Sequence, residues 1–312
     1  MIAGQEAPKA AAGAAERDGL RRAILLTLAY ADVFDHPLSA GEIHRFLIGV
    51  PTSRAAVEDI LDGDPLLLER VGRTNGWYHL AGRGELADTR RRRNAASARL
   101  WPVARRYASV IARLPLVRLV AVTGALAMDN ADGEADIDLF ILARPRRVWL
   151  CRLLVLAAVK VAALRGHQVC PNFVLSSDRL RLAERNLFTA HEFAQMVPVG
   201  PTRWYGRFLE ANGWAREMLP NALDAPVVVS RRGTVAALAT AAAESFLGSR
   251  AFGALERWEM RRKIRRLLAR AEREGGSVAF TADECRGHFA AHDTRALAAF
   301  TERAMRVTEG LP

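Results

Sequence analysis

Two aspartates stand at alternate positions, Asp136 and Asp138, inside the apolar run ADIDLFIL over residues 135–142. Alternate residues of a strand point to one face, so both carboxylates look into the same space while Ile137 and Leu139 bury on the other side. Two like charges held that close are costly unless a cation or strong donors compensate them. The pair therefore reads as a metal site or as a solvated sheet edge. Flanking Ile137, Leu139, Phe140 and Ile141 favour a buried strand over an edge. Upstream, VRLVAVTG over residues 117–124 reads as a second buried strand that ends at Gly124. Glycine lets a backbone approach a ligand closely, and N–H groups at a turn can hold an anion. The acid-rich DNADGEAD between the strands lacks the alternating acidic positions and distal glutamate of an EF-hand, so a calcium loop is set aside.

The order is apolar strand, glycine plus a small residue, ten residues between Ala125 and Asp136, then Asp-apolar-Asp-apolar. Over residues 115–178 this resembles the nucleotidyltransferase superfamily related to DNA polymerase beta. The resemblance implies an α/β core and Mg²⁺-dependent transfer of a nucleoside monophosphate from an NTP to an acceptor. It makes Asp136 and Asp138 the metal-binding and catalytic residues, and the turn at Gly124 and Ala125 the holder of the triphosphate. Paired metal ions suit the chemistry, because they neutralise phosphate charge and orient the attacking oxygen. Mg²⁺ prefers hard oxygen ligands shared between carboxylates and substrate phosphates.

Two departures stand out. Ala125 occupies the place where the family usually has serine, which removes a hydroxyl contact and keeps the backbone N–H. The third carboxylate of such families lies on a neighbouring strand, here CPNFVLSSD. That segment offers Asn172, which can ligate through its carbonyl but cannot take a proton. It also offers Asp178, which would have to bend back from beyond the strand end. A non-catalytic nucleotide- or DNA-binding regulator that retains the fold is the alternative reading.

Around this core, residues 1–19 are expected as a floppy lead-in without the apolar region of a signal peptide. Residues 20–82 read as three helices and a hairpin, resembling a winged helix. Ser39 and Glu42 have capping-box spacing, and GRTNG joins two β-like runs. DNA contact is weakly supported there, since the third helix sets Arg54 against Glu58, Asp59 and Asp62. Residues 83–114 are expected as a basic connector interrupted near Pro102, with Arg90 to Arg93 on a solvated face. Residues 115–182 form the expected core, and 183–312 a mostly helical region. CPNFVLSSDRL, NLFTAHEFAQMVPV and RFLEANGWAREMLPN extend the resemblance to uncharacterised bacterial nucleotidyltransferase-domain proteins with a winged-helix-like N-terminal region. That wider likeness implies no particular acceptor.

The remaining candidates are weaker. His191 and Glu192 begin an amphipathic helix that could approach the cleft, with His191 read as a packing residue. Cys285, His288 and His292 have a zinc-like spacing with no fourth ligand nearby, in a segment read as helical. Trp204, Tyr205 and Trp214 read as core aromatics. The run VWLCRLLVLAAVKVAAL has only 17 residues and contains Arg152 and Lys160. A spanning helix wants about 20 residues with few charges, so this is expected as a helix packed on a sheet, with no membrane partner. Three cysteines far apart imply no disulfide framework and fit a reducing cytoplasm. The net charge of +11 favours polyanionic partners without specifying a fold.

Overall fold

The computed structural model describes residues 6–199, 203–223, 234–274, 276–289 and 292–311. The fold is mixed α/β. Helix α1 (Glu6–Asp32) includes residues 6–19, which were expected to be floppy. Their alanine richness explains the difference, because alanine is the strongest helix former. Next come α2 (Ala40–Arg45), α3 (Arg54–Gly63) and α4 (Pro65–Leu68). The Ser39–Glu42 capping box closes at the start of α2. Strands β1 (Val71–Thr74) and β2 (Trp77–Leu80) pair around Asn75 and Gly76, both at positive φ. That backbone suits a hairpin turn whose twist matches its strands. Leu38 bridges to Tyr78, tying the segment before α2 to the hairpin.

Helix α5 (Leu86–Ala112) runs unbroken through Pro102. Proline removes one helical hydrogen bond, but Pro102 and Ala98, whose carbonyl loses that bond, are both exposed. The opposite side of α5 buries Ala104, Tyr107, Ala108 and Ile111. Arg90 corrects the expectation of a solvated basic face: it is buried and donates to Glu42 at 2.7 Å. Arg93 donates to the carbonyl of Phe34 at 3.0 Å, which leaves Arg91 and Arg92 as the exposed pair.

The central elements are β3 (Val117–Val122), α6 (Gly124–Ala127), β4 (Ile137–Ala143), α7 (Val148–Ala163) and β5 (Val169–Ser176). After them come α8 (Leu187–Gln195), β6 (Val197–Val199), α9 (Arg203–Ala211) and α10 (Ala215–Met218). The chain ends with α11 (Thr234–Leu247), α12 (Arg250–Glu274), β7 (Gly276–Phe280), β8 (Glu284–Phe289) and α13 (His292–Thr308). One six-stranded sheet has the order β6-β3-β4-β5-β8-β7. Among the described strands only β4 and β5 are parallel, joined by the α7 crossover that a parallel pair requires.

The region after 183, expected as mostly helical, thus contributes three strands, and the sheet extends well beyond residue 182. Residues 284–289 were read as helix; they pair with both β5 and β7 because ECRGHF alternates and follows a turn closed by Thr281 N–H to the Glu284 carbonyl. Cys285 points into the apolar core from β8, which removes the helical basis for the zinc spacing, and the side chains of His288 and His292 lie outside the described residues.

The sheet is covered on both faces. Ile137, Leu139 and Ile141 pack with α5, α7 and α12, whereas Phe140 and Leu142 pack with α8, α9 and α10. Helix α7 is the apolar run that had tempted a membrane reading; no described helix is long and apolar enough to cross a membrane. Its first N–H groups are satisfied from a distance. Glu256 of α12 accepts from Trp149 N–H at 2.8 Å and Leu150 N–H at 2.7 Å.

Candidate functional site

Strand β4 alternates, so Asp138 shares its face with Phe140 and Leu142 rather than with the buried Ile137 and Leu139. Asp136 lies just before the strand and is exposed, while Asp138 is half-buried. The chain leaving β3 stays beside them: Val122 pairs with Leu139, and Thr123 N–H donates to the Asp138 carbonyl at 3.0 Å. Gly124 follows at φ +66°. A β-carbon there would collide with Asp138 Oδ2 and lie 3.3 Å from its Cγ. Glycine is thus required twice, by its left-handed backbone and by its close approach to the carboxylate. Ala125 is exposed on the one-turn helix α6, whose end is closed by Asn130 N–H to the Ala125 carbonyl at 2.8 Å.

Asn172 reaches the site, as its position on the neighbouring strand implied. Its amide donates to Asp138 Oδ1, and Cys170 Sγ donates to its Oδ1 at 2.7 Å. Asp178 does not. The parallel register sets Asp138 against Cys170 and Ala143 against Ser176, so Asp178 lies past the opposite end of the strands. There it accepts from Ser176 Oγ at 2.5 Å.

A further acid reaches the cavity from a helix. Glu192 of α8 is half-buried and lines the same cavity as Asp136 and Asp138. Helix α8 starts at an Asn186 cap that accepts from Thr189 N–H at 2.8 Å. It is fixed to the sheet by an aromatic layer: Phe193 lies 4.8 Å from Phe208, and Phe208 4.9 Å from Phe140. Glu192 was legible as the only acid in LFTAHEFAQ, held between the buried His191 and Phe193.

The electrostatics tie these groups together. Burial, and then the charge of Asp136, pushes Asp138 up to about 7, against the Asn172 hydrogen bond that favours its ionised form. Burial, and then the charge of Asp138, pushes Glu192 up to about 7 as well. Carboxylates displaced this way are uncompensated, and such groups concentrate at functional sites. His191 is buried and stacks on Tyr30 with ring centroids 3.9 Å apart. Burial holds its imidazole down to about 3, hence uncharged.

All of this opens into a cavity of about 830 Å³. Its walls come from the sheet, the loop before β4, α8, the start of α13 and the end of α1, where Tyr30 and Phe34 face in. The N-terminal module is clamped in that position. Arg45 donates to the Ala194 carbonyl at 2.9 Å, Gly49 N–H to the Met218 carbonyl at 2.8 Å, and Arg303 Nε to Asp32 at 2.8 Å. Tyr205 is buried, and Trp204 and Trp214 pack on the same core, as core aromatics do. Among the described residues no group of three or more His, Cys, Asp or Glu side chains is arranged to hold a metal ion by itself. No known family model, curated protein or solved structure matches the chain.

Proposed function

We propose that the chain is a metal-dependent nucleotidyltransferase, moving a nucleoside monophosphate from an NTP to an acceptor hydroxyl. The observation that carries this reading is the meeting of Asp136, Asp138 and Glu192 in one cavity, beside a turn whose Gly124 has no room for a β-carbon. The donor chemistry fits Mg²⁺, which commonly takes one or two protein carboxylates and completes its shell with substrate phosphates and water. Asp136 and Asp138 would hold it, and a cation there would offset the burial and the Asp136 charge that raise Asp138. When bound, the ion would supply charge neutralisation at the phosphates.

The chain's own groups account for the remaining steps. Asn172 fixes the orientation of Asp138 through Oδ1. The N–H groups that open α6 at Gly124 and Ala125 receive no side-chain cap from Thr123, and they would be the groups that meet phosphate oxygens. Glu192, at about 7, has the basicity of an effective proton acceptor near neutrality. The acceptor oxygen bonds to the α-phosphorus, the bond to the pyrophosphate oxygen breaks, and the hydroxyl proton passes to Glu192.

The N-terminal module has four helices, α1 to α4, the Leu38 bridge and a hairpin, and its details weigh against the DNA-binding alternative. Arg54 of α3 is spent on Glu58 at 2.8 Å, and Asp59 and Asp62 are exposed on the same helix. The segment between α2 and α3 is held by Asn221, which donates to the His44 and Val50 carbonyls at 3.1 and 3.3 Å. We assign the module to the cavity wall rather than to a duplex.

The test is nucleotide binding and turnover with Mg²⁺, across a set of labelled NTPs and wild type, Asp136→Ala, Asp138→Ala and Glu192→Gln. Expected is loss of Mg²⁺-dependent binding in both aspartate variants. Glu192→Gln should retain binding and lose on the order of 10²-fold or more in transfer rate. Equal NTP binding by wild type and both aspartate variants would sink the proposal.

A further inference from the structure

Helix α12 holds nine arginines and lysines against four acids, a large share of the chain's net charge of +11, and the proposed reaction uses none of it. The helix sorts its charges by face. Glu256 and Glu259 are buried toward the core, on the side where Leu255, Met260, Ile264 and Leu267 pack. Arg250, Arg257, Arg261 and Arg265 are exposed, and Glu272 is the only exposed acid among the helix's described residues. Residues 257, 261 and 265 are spaced by four, so their side chains form one row, about 6 Å apart along the axis. No carboxylate pairs with any of these four arginines among the described residues. Like charges at that spacing repel, so the row is held at a cost that a bound anion relieves.

A second feature points to a ligand independently of charge. Trp258 stands beside that row and is 55% exposed, although tryptophan is ordinarily well buried. Its ring is braced by its own helix. Arg262 donates to the buried Glu259 at 2.6 and 2.9 Å, and its guanidinium lies 5.1 Å from the Trp258 ring centroid. A cation held over an aromatic ring fixes that ring at the surface. A braced indole in a row of unpaired arginines matches what an unstacked nucleotide needs: a π-face for the base and forked donors for the phosphate oxygens.

We propose that the outer face of α12 binds single-stranded nucleic acid, with Arg257, Arg261 and Arg265 on phosphates and a base stacked on Trp258. Helix α12 covers the sheet face opposite α8, so this strand lies outside the cavity and its binding does not depend on nucleotidyl transfer. An anionic membrane fits less well. A helix enters a membrane interface by its apolar face, and that face of α12 is spent on the core. A duplex keeps its bases stacked and leaves the indole unused. An acidic polypeptide would engage the arginines alone.

The experiment is fluorescence anisotropy of an end-labelled oligothymidylate of about 20 nucleotides, titrated with the full chain from about 50 to 200 mM salt. Affinity should fall as salt rises, because counterion release drives phosphate contacts. Arg257→Gln, Arg261→Gln and Arg265→Gln combined should weaken binding about tenfold or more at the low-salt end. They should also reduce the log–log salt slope by about 2, at ~0.7 per phosphate of a single strand. Trp258→Ala should weaken binding about fivefold or more, as loss of one stacked base implies, and Trp258→Phe should recover most of that. These side chains are exposed, so the variants should melt close to wild type. Asp138→Ala should bind the oligonucleotide as wild type does, which separates this surface from the cavity. No salt-dependent binding, full affinity in Trp258→Ala, or dependence on Asp138 would overturn the proposal. So would tighter binding to a duplex of the same length, to polyglutamate or to phosphatidylserine vesicles than to the single strand.

Discussion

The two faces of the central sheet are made by the same strands and do opposite things. Toward α5, α7 and α12, β4 presents Ile137, Leu139 and Ile141, and this face is packed closed. Toward α8, it presents Phe140 and Leu142 in its second half and Asp138 in its first, and the packing stops where the carboxylates begin. The difference shows how one strand can serve both a core and a site. The period of two sends the hydrophobic payload both ways, so the closed face anchors the strand while the other leaves a polar floor. Both carboxylates with pKa values near 7 belong to the open face.

The comparison breaks most visibly at Phe140, which holds the packed half of the open face. Its ring lies 5.1 Å from Phe173 and 4.9 Å from Phe208. Phe140→Ala should cost ~3–5 kcal/mol, read from a denaturant titration. It should also weaken nucleotide binding, because α8 and Glu192 are seated through Phe208 and Phe193. A loss below ~1.5 kcal/mol would mean that this half of the face is loose. On the closed face, Glu256→Ala strips the acceptor from two N–H groups at the start of α7, and ~1–3 kcal/mol of stability should go with it. No change in Mg²⁺-nucleotide affinity is expected there. A loss of affinity exceeding the loss of stability would show that the faces are not separable.

Gly124→Ala sharpens the contrast from the other side. The substitution adds a β-carbon against Asp138 and strains a backbone at φ +66°. It should cost only ~1–2 kcal/mol of stability, a value to be read by thermal melt. Nucleotide affinity should fall by about tenfold or more, since the added atom displaces the carboxylate. An alanine variant with wild-type affinity would separate the turn from the site.

Much of this was readable because it is local. The Ser39–Glu42 box, the Asn75-Gly76 hairpin and the alternation around Asp138 each depend on residues a few positions apart. The helical state of residues 6–19 and the continuity through Pro102 turn on propensity and exposure, which a pattern of breakers misjudges. Strand β8 was missed because pairing with β5 across more than a hundred residues decides it, and β7 joins the sheet only through β8. Glu192 belongs to the same class. Its place beside Asp138 follows from how Phe193 meets Phe208 and how Tyr30 stacks on His191, contacts between separate elements. Asp178 was read as lying beyond the strand end, able to serve only if the chain bent back, and the parallel register puts that end away from Asp138.

The smallest expected effect is also the most direct reading of the open face. In metal-free protein Asp138 and Glu192 sit at about 7 when folded, against ordinary values of 3.8 and 4.5. Between those limits the folded state binds more protons than the unfolded chain. The stability this contributes is fully present below the ordinary carboxylate range and is lost as pH rises through about 7. Wild type should therefore melt at a lower temperature at about pH 8 than at about pH 5, beyond the drift of the rest of the chain. Asp138→Asn removes one titrating group and also the neighbouring charge that raises Glu192. The variant should show a flatter profile and melt on the order of 2–4 °C above wild type at the alkaline end, while losing Mg²⁺-nucleotide binding. Identical pH profiles for the two proteins would mean that the carboxylates do not repel, and the open face would then carry no stored cost for a cation to relieve.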